Sequence, residues 1–251
     1  MLTIIDSGHE SAERNMEIDQ QLLLSLYQHT KPILRFYDWK QPSATFGYFS
    51  SPESLLNVQA AKEYGLQLAR RPTGGGLLFH EFDFTFSFLL PATHPLFSLN
   101  TLENYRLVNQ IVANAIQKYL HIEKPLELLC CQKIPNQSTS QSKELRNFCM
   151  AIPTVYDVVS NGRKLAGAAQ RRTKLGFLHQ GSISLQLPSD DFLKRILLPG
   201  SIAEAMKTCS YPLLETACSL EGQTTAKKIL KGLVSKEFTS FLLPREMRYM
   251  S

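Results

Sequence analysis

Residues 81–90 read EFDFTFSFLL, and this stretch decides the fold class. Four phenylalanines, at positions 82, 84, 86 and 88, alternate with Asp83, Thr85 and Ser87. Strict alternation of apolar and polar residues is typical of a β-strand that buries one face and leaves the other face polar. We therefore predict a half-buried strand over residues 81–90.

Further strands and helices are predicted on both sides of this strand. The predicted strands cover residues 33–39, 44–49, 66–69 and 177–185, with a hairpin of residues 154–160 and 163–170. Asn161-Gly162 favours that hairpin because both residue types accept the positive φ angles of a type I′ turn. The predicted helices start near Ser7 in a capping box, run from Ser51 to about Tyr64, and run from Asn100 to Tyr119.

The order of these elements indicates an α+β fold with a mixed, largely antiparallel sheet flanked by helices. Hairpins dominate the strand pairing, which argues against a doubly wound parallel sheet. With 251 residues, the chain has the length of one domain, and we expect residues 1–251 to form it. Residues 189–251 are predicted to be its mostly helical C-terminal part, and residues 133–146 a polar loop.

Composition excludes several classes of protein. The chain is 43% hydrophobic and 20% charged, which is ordinary for a globular protein and too apolar for a disordered one. It has no apolar run long enough to span a membrane and no secretory leader pattern, so we expect a cytoplasmic protein that does not bind membranes. Five cysteines without a C-x-x-C pair fit a reducing compartment, and we predict no metal site.

The glycine turn Arg70-Arg71-Pro72-Thr73-Gly74-Gly75-Gly76 is the first candidate for ligand contact. Three consecutive glycines leave backbone N–H groups bare and let a ligand approach the main chain, while the arginines supply charge. The alternative is a wide hairpin turn without a ligand. The spacing matches neither a P-loop nor a dinucleotide fingerprint.

Lys164 is the second candidate, since the small residues 166–169 follow it on the predicted hairpin. Small side chains on a strand leave room for a lysine to reach into a pocket. The alternative is a solvated charge beside a turn. The basic residues between 163 and 174 lack interleaved aromatics, so we predict no nucleic-acid binding despite the net charge of +5.

Cys149 is the third candidate, because it follows the polar loop close to Lys143 and Arg146. Nearby positive charge lowers a thiol pKa and favours a nucleophilic thiolate. The alternative is a small buried hydrophobic side chain. His80 follows the glycine turn without a second histidine at metal-ligand spacing.

Together, these motifs resemble the lipoate-protein ligase and octanoyltransferase family, whose fold is shared with biotin protein ligases. The matching segments are Ile5-Asp6-Ser7-Gly8, Asn15-Met16, Arg35 to Trp39, Gly47-Tyr48-Phe49, RRPTGGG with His80, Tyr156-Asp157, Gly162-Arg163-Lys164, Gly167 to Arg172, and Gly181-Ser182-Ile183. The joint pattern of RRPTGGG, His80 and GRK-x-x-G-x-A-Q-R is highly specific, and it spans most of the chain.

The resemblance implies an enzyme that attaches an octanoyl or lipoyl group to a lysine of a lipoyl domain. It also implies that Lys164 contacts the acyl carbonyl or the phosphate of an acyl-adenylate, and an ammonium held near a developing oxyanion stabilises it. The resemblance further implies a set of substrate-binding residues, which are Arg71, Thr73, Gly74, Gly75, Gly76, His80, Gly167 and Ala168.

Two chemistries occur in the family. The C-x-x-x-P-x-x-Y-[DE] arrangement from Cys149 to Asp157 resembles the cysteine-dependent octanoyltransferases, which need no cofactor. In that case Cys149 carries the acyl group as a thioester between donor and acceptor. The alternative is a ligase that activates free lipoate with ATP and Mg²⁺, and a third reading is an inactive binder of lipoyl domains.

The resemblance also implies the partners. Acyl carrier protein is the expected donor of the octanoyl group. Lipoyl domains of 2-oxoacid dehydrogenase E2 subunits and the glycine cleavage H protein are the expected acceptors. We expect the protein itself to be a monomer.

Overall fold

The computed structural model describes residues 1–130, 153–198, 202–214 and 218–243. Within those residues the strands are β1 Thr3–Glu10, β2 Ile33–Trp39, β3 Ser43–Phe46, β4 Gln67–Arg70, β5 Leu78–Phe79, β6 Asp83–Pro91, β7 Glu127–Leu128, β8 Val158–Ser160, β9 Arg163–Thr173 and β10 Gly176–Ser184. The α-helices are α1 Ala12–Leu24, α2 Val58–Tyr64, α3 Thr101–Tyr119, α4 Asp190–Ile196, α5 Ile202–Cys209 and α6 Leu220–Leu242.

The strands form two sheets. The larger sheet has the order β1-β2-β6-β10-β9-β8-β7, and the smaller has the order β4-β3-β5. Strand β1 runs parallel to β2, and β3 runs parallel to β4, while the other pairs are antiparallel. The prediction of an α+β fold with a mixed, largely antiparallel sheet flanked by helices is confirmed.

Strand β6 lies at the centre of the larger sheet, between β2 and β10. All nine of its residues are buried, so the predicted half-buried strand was wrong in its exposure. The phenylalanines pack into the main core with residues of α3 and α6, such as Ile111 and Phe238. The polar face is covered by α1, because Ser87 donates a hydrogen bond to Asp19 at 2.8 Å.

Two predicted helix starts are corrected by the structure. Ser7 lies in β1 and accepts a hydrogen bond from Arg35, and the first helix begins at Ala12 with Ser11 as its N-cap. The predicted helix from Ser51 begins with a short 3₁₀ turn, and α2 starts only at Val58, with Asn57 as the N-cap. The long helix after Asn100 is confirmed, because the Asn100 side chain caps α3.

The predicted hairpin is confirmed as β8 and β9. Asn161 and Gly162 have φ angles of 51° and 76°, as a type I′ turn requires. The described residues from Asp190 onward form α4, α5 and α6, and none of the helices in the described part of the chain is long and apolar enough to cross a bilayer. The predicted loop at 133–146 and Cys149 lie outside the described residues.

Candidate functional site

A narrow cavity lies between the larger sheet, the smaller sheet and α1. Its lining consists of Met16, Thr45, Arg71, Leu78, His80, Thr85, Lys164, Gly167, Ala168, Ala169, Gln180, Gly181 and Ser182. Five residues that the resemblance assigned to the site therefore meet at one cavity: Arg71, His80, Lys164, Gly167 and Ala168. Thr73 and the glycines 74–76 lie outside this lining.

A β-bulge in β9 directs Lys164 toward the cavity. Val159 pairs with Lys164 and Val158 pairs with Ala166, so Leu165 is an extra residue on β9. Without the bulge, Lys164 and Gly167 would lie on opposite faces because side chains alternate along a strand. The bulge places both residues on the same face, as bulges next to functional sites often do.

The Lys164 ammonium is held by a buried carboxylate. Its Nζ lies 2.8 Å from Asp157 Oδ2, and both side chains are at least 95% buried. Tyr105 on α3 donates a hydrogen bond to Asp157 Oδ1 at 2.7 Å and accepts one from the Ala168 N–H at 3.0 Å. Burial, followed by the Asp157 charge, raises the pKa of Tyr105 well above its usual value, so its hydroxyl stays a donor. A buried cation with such partners keeps a fixed position on the cavity wall.

Gly167 leaves the space that Lys164 occupies. A Cβ at this position would lie 2.1 Å from Lys164 Cε and 2.3 Å from its Nζ. Any larger residue would displace the ammonium, so the glycine is required by close approach of the lysine rather than by its own backbone angles.

His80 also lines the cavity and is held by several protein contacts. Its Nδ1 donates to Asp83 Oδ2 at 2.8 Å, and its Nε2 is 2.7 Å from Thr45 Oγ1. The ring stacks on Trp39 with 4.1 Å between centroids. With both ring nitrogens and one face occupied by protein, His80 serves to position its neighbours.

Asp83 Oδ2 accepts a hydrogen bond from Ser182 Oγ at 2.7 Å, in addition to the one from His80. Burial by itself raises the pKa of a carboxyl group. At Asp83 the charge and hydrogen bond of His80 and the hydrogen bond of Ser182 outweigh burial, and the pKa lies below its usual value. The carboxylate is therefore ionised at neutral pH.

Arg71 links the glycine turn to the cavity. Its guanidinium donates to the carbonyls of Gly74 and Gly76 at 3.1 and 2.7 Å and to Thr45 Oγ1 at 2.8 Å. A Cβ at Gly47 would lie 1.8 Å from Gly75 O, so the turn packs directly on the end of β3. The glycines thus shape the cavity through Arg71.

A buried polar network closes the cavity near Met16. Gln180 donates to Asp19 Oδ2 at 2.7 Å and accepts from Thr73 Oγ1 at 2.7 Å. Asp19 forms an ion pair with Arg35 at 2.7 Å, and both side chains are fully buried. Thr73 therefore acts on the cavity through Gln180.

Four residues of the site were not predicted from the sequence: Tyr105, Thr45, Asp83 and Gln180. Tyr105 lies 52 residues before Asp157 in the chain, and Gln180 lies 107 residues after Thr73. Asp83 was noted only as part of the alternating strand. Its position there could have indicated the site, because a carboxylate on a buried strand needs hydrogen-bond or charge partners.

Comparison with known proteins gives a consistent result. Residues 11–227 match the family model of the lipoyl protein ligase A/B catalytic domain. The octanoyltransferase LipM of Anoxybacillus flavithermus is 34% identical over 193 residues, which are 74% of this chain and 66% of that protein. The octanoyltransferase LipM of Moorella thermoacetica is 29% identical over 240 residues, 94% of this chain and 84% of that protein.

A solved structure shares the fold. It is the bipartite lipoate protein ligase of Thermoplasma acidophilum, studied with its E2 lipoyl domain. The TM-score is 0.63 at 22% identity, and the match covers 94% of this chain and 83% of that one.

Proposed function

Because this chain belongs to the lipoyl protein ligase A/B catalytic domain family, we propose that it is an octanoyltransferase of protein lipoylation. It moves an octanoyl or lipoyl group through a Cys149 thioester onto a lysine of a lipoyl domain. Relatives named octanoyltransferase support acyl transfer over ATP-dependent ligation.

The observation that carries the mechanism is the buried Lys164 ammonium beside the small-residue strand. Acyl transfer passes through tetrahedral intermediates whose oxygen becomes negative, and a fixed cation in a water-poor cavity stabilises that charge. Lys164 meets these conditions, since Asp157 holds it and Gly167 makes room for it. The adjoining small residues of β9 and Leu78 give the acyl chain an apolar wall.

The short sequence separation between Cys149 and the described site supports a role for this cysteine. Thr154 donates its backbone N–H to Asp157 Oδ2 at 2.7 Å, which ties it to the partner of Lys164. Cys149 precedes Thr154 by five residues (154 − 149), so the two Cα atoms are at most about 18 Å apart even in a fully extended chain.

In the first half-reaction the Cys149 thiolate attacks the thioester of the loaded donor. The new C–S bond forms, the donor C–S bond breaks, and the donor thiolate leaves. In the second half-reaction a lysine amine of the acceptor attacks the enzyme thioester, and Cys149 is released. Neither half-reaction needs a cofactor.

The proposal includes the partners and the compartment. The donor is octanoyl-loaded acyl carrier protein, and the acceptors are lipoyl domains of E2 subunits or the glycine cleavage H protein. The enzyme works in the cytoplasm as a monomer. The alternative is a ligase that uses ATP and Mg²⁺, and the fold shared with the Thermoplasma acidophilum ligase is compatible with either chemistry.

Intact-mass spectrometry tests the proposal. The purified protein is incubated with octanoyl-loaded carrier protein without ATP, beside Cys149→Ala and the control Cys130→Ala, which removes an exposed cysteine. We expect a hydroxylamine-sensitive octanoyl adduct on the wild type and the control only. Modification of a lipoyl domain that needs lipoate and ATP and survives Cys149→Ala would instead establish the ligase.

A further inference from the structure

One carboxylate oxygen of Asp83, Oδ1, has no role in the proposed mechanism. The residue is 4% exposed, and both hydrogen bonds described above go to Oδ2. Oδ1 is buried and accepts no hydrogen bond from any residue that the structure describes. Because a buried unsatisfied carboxylate oxygen costs free energy, such an atom in a native fold calls for a partner.

A second, smaller cavity lies at this carboxylate. Asp83, Ser182, Ser184 and Gln186 line it together with apolar residues such as Leu187 and Met206. Leu78 and Ser182 line both this cavity and the one that holds Lys164, so the two cavities adjoin. The cavity has a volume of about 20 Å³, so it admits one water-sized group, such as the terminal amine of a chain whose stem lies outside it.

We propose that Asp83 Oδ1 receives the ε-amino group of the acceptor lysine and accepts a proton from it during transfer. The inference rests on the proposed function, because it assigns a residue to the second half-reaction of that mechanism. The occupant is a primary amine on a flexible alkyl stem, which is the chemistry of a lysine side chain.

The two reacting groups would meet across one pair of residues. Ser182 on β10 pairs with Gly167 on β9, and neighbouring strands lie about 4.8 Å apart. Lys164 packs over Gly167, while Ser182 donates its hydroxyl to Asp83. The cation that stabilises the thioester oxygen and the carboxylate that holds the amine therefore flank the same point of the sheet.

The proton balance of the step is complete. The acceptor ammonium first loses one proton to water and becomes an amine. Its nitrogen attacks the thioester carbonyl carbon, the C–N bond forms, and the second proton moves from nitrogen to Asp83 and then to water. The C–S bond breaks, and the sulfur of Cys149 leaves as a thiolate.

His80 holds the Asp83 carboxylate in its orientation. By donating to Oδ2, it fixes the carboxylate plane and leaves Oδ1 as the remaining acceptor. Thr45 and Trp39 in turn hold His80 from its other nitrogen and its ring face. His80 is thus a positioning residue for Asp83.

The test separates the two half-reactions in the full-length enzyme with Asp83→Asn. The matched control is Asp190→Asn, which neutralises an exposed carboxylate that pairs with Lys207. Octanoyl-enzyme is formed with octanoyl-loaded carrier protein and followed by intact mass. A lipoyl domain, or hydroxylamine in its place, is then added, and loss of the adduct is timed.

We expect Asp83→Asn to form octanoyl-enzyme as fast as the wild type. Transfer to the lipoyl domain should fall by about 100-fold or more, as removal of a general base does. Hydroxylamine, which is a reactive nucleophile with less need of a base, should cleave both acyl-enzymes at equal rates. The Asp190→Asn control should match the wild type throughout.

Several results would overturn the inference. Transfer by Asp83→Asn at the wild-type rate, or an equal loss in both half-reactions, would leave Asp83 with a structural role only. If Asp83→Asn does not fold, Asp83→Glu is used instead. A ratio of the transfer rate to the acylation rate equal to that of the wild type would then overturn the proposal. A wild type that never forms octanoyl-enzyme would overturn the proposed function and this inference with it.

Discussion

Two buried ion pairs lie close to the cavity, and they differ in what surrounds the cation. The Arg35 guanidinium pairs with Asp19 and donates its other N–H groups to Ser7 and Asn15. It is absent from the cavity lining. Lys164 pairs with Asp157 but lies on the cavity wall.

The difference indicates which pair serves stability and which serves chemistry. A guanidinium forms a planar fork that can be satisfied entirely by protein groups, and Arg35 uses it to join α1 to β2. An ammonium is a compact charge that can act on a neighbouring carbonyl oxygen. Removal of either cation should therefore lower stability, but only removal of Lys164 should also lower activity.

The largest effect is expected for Lys164→Met. Loss of the cation should lower the rate of octanoyl-enzyme formation by about 10² to 10³-fold, as loss of an oxyanion-stabilising donor does. The unpaired Asp157 should also lower the free energy of unfolding by about 3 to 5 kcal/mol. Intact-mass kinetics and chemical denaturation measure the two effects, with exposed Lys174→Met as control. Near wild-type acylation by Lys164→Met would refute the catalytic assignment.

The second effect is expected for Arg35→Met. It leaves Asp19 unpaired in the core, so the free energy of unfolding should fall by about 3 to 5 kcal/mol. Activity of the molecules that remain folded should stay close to the wild-type value, measured at low temperature. The control Arg14→Met removes an exposed pair with Glu17 and should change stability by less than about 1 kcal/mol. A selective loss of activity would contradict the division of roles.

The third effect is expected for Gly167→Ala. The new methyl group collides with Lys164, so stability should fall by about 1 to 3 kcal/mol and acylation should slow markedly. Gly232→Ala is the matched control, since a Cβ there meets open space on α6. In a helix this change should add about 0.5 to 1 kcal/mol of stability. Denaturation curves and acylation rates of both variants decide the outcome.

The fourth effect concerns acid. Burial lowers the pKa of His179 to about 3, and its ring contacts Tyr105, which donates a hydrogen bond to Asp157. Since the folded form binds the proton less readily than the unfolded form, stability should fall as the pH drops from 6.5 toward 3, by at most about 1.4 kcal/mol per unit from this group.

Denaturation at several pH values checks this prediction. His179→Phe should flatten the dependence, whereas His121→Asn, at an exposed position with a positive φ, should leave it unchanged. An unaltered slope in His179→Phe would show that other groups carry the acid response.

The fold was largely predictable where local pattern and turn chemistry agree. A few neighbouring residues determine the local structure in three places: the alternation in β6, the Asn100 cap of α3 and the Asn161-Gly162 turn. The family resemblance added the octanoyltransferase prediction, which relatives of that name confirm. Strand β1 was missed because its pairing partner β2 lies about 30 residues away and Ser7 imitates a helix cap.

The site was predictable only in part. Lys164, Gly167 and Ala168 share one strand, so their common position followed from the sequence. Asp157, which pairs with Lys164, directly precedes β8 and is held by Tyr105 of α3. The bulge depends on pairing with Val158 and Val159. Such long-range contacts leave no local pattern. The roles of Cys149 and the other site residues stay predictions.

The bulge at Leu165 decides which face of β9 carries Lys164, because side chains alternate between the two faces along a strand. Two residues separate Lys164 from Gly167, and only an odd insertion in the strand lets side chains at that spacing share a face. In a regular strand that kept all of these residues, the ammonium would point to the opposite face, whereas deletion of Leu165 would restore regular pairing and leave lysine and glycine on one face at a spacing of two. The spacing of lysine and glycine in this strand therefore carries as much information as their identities.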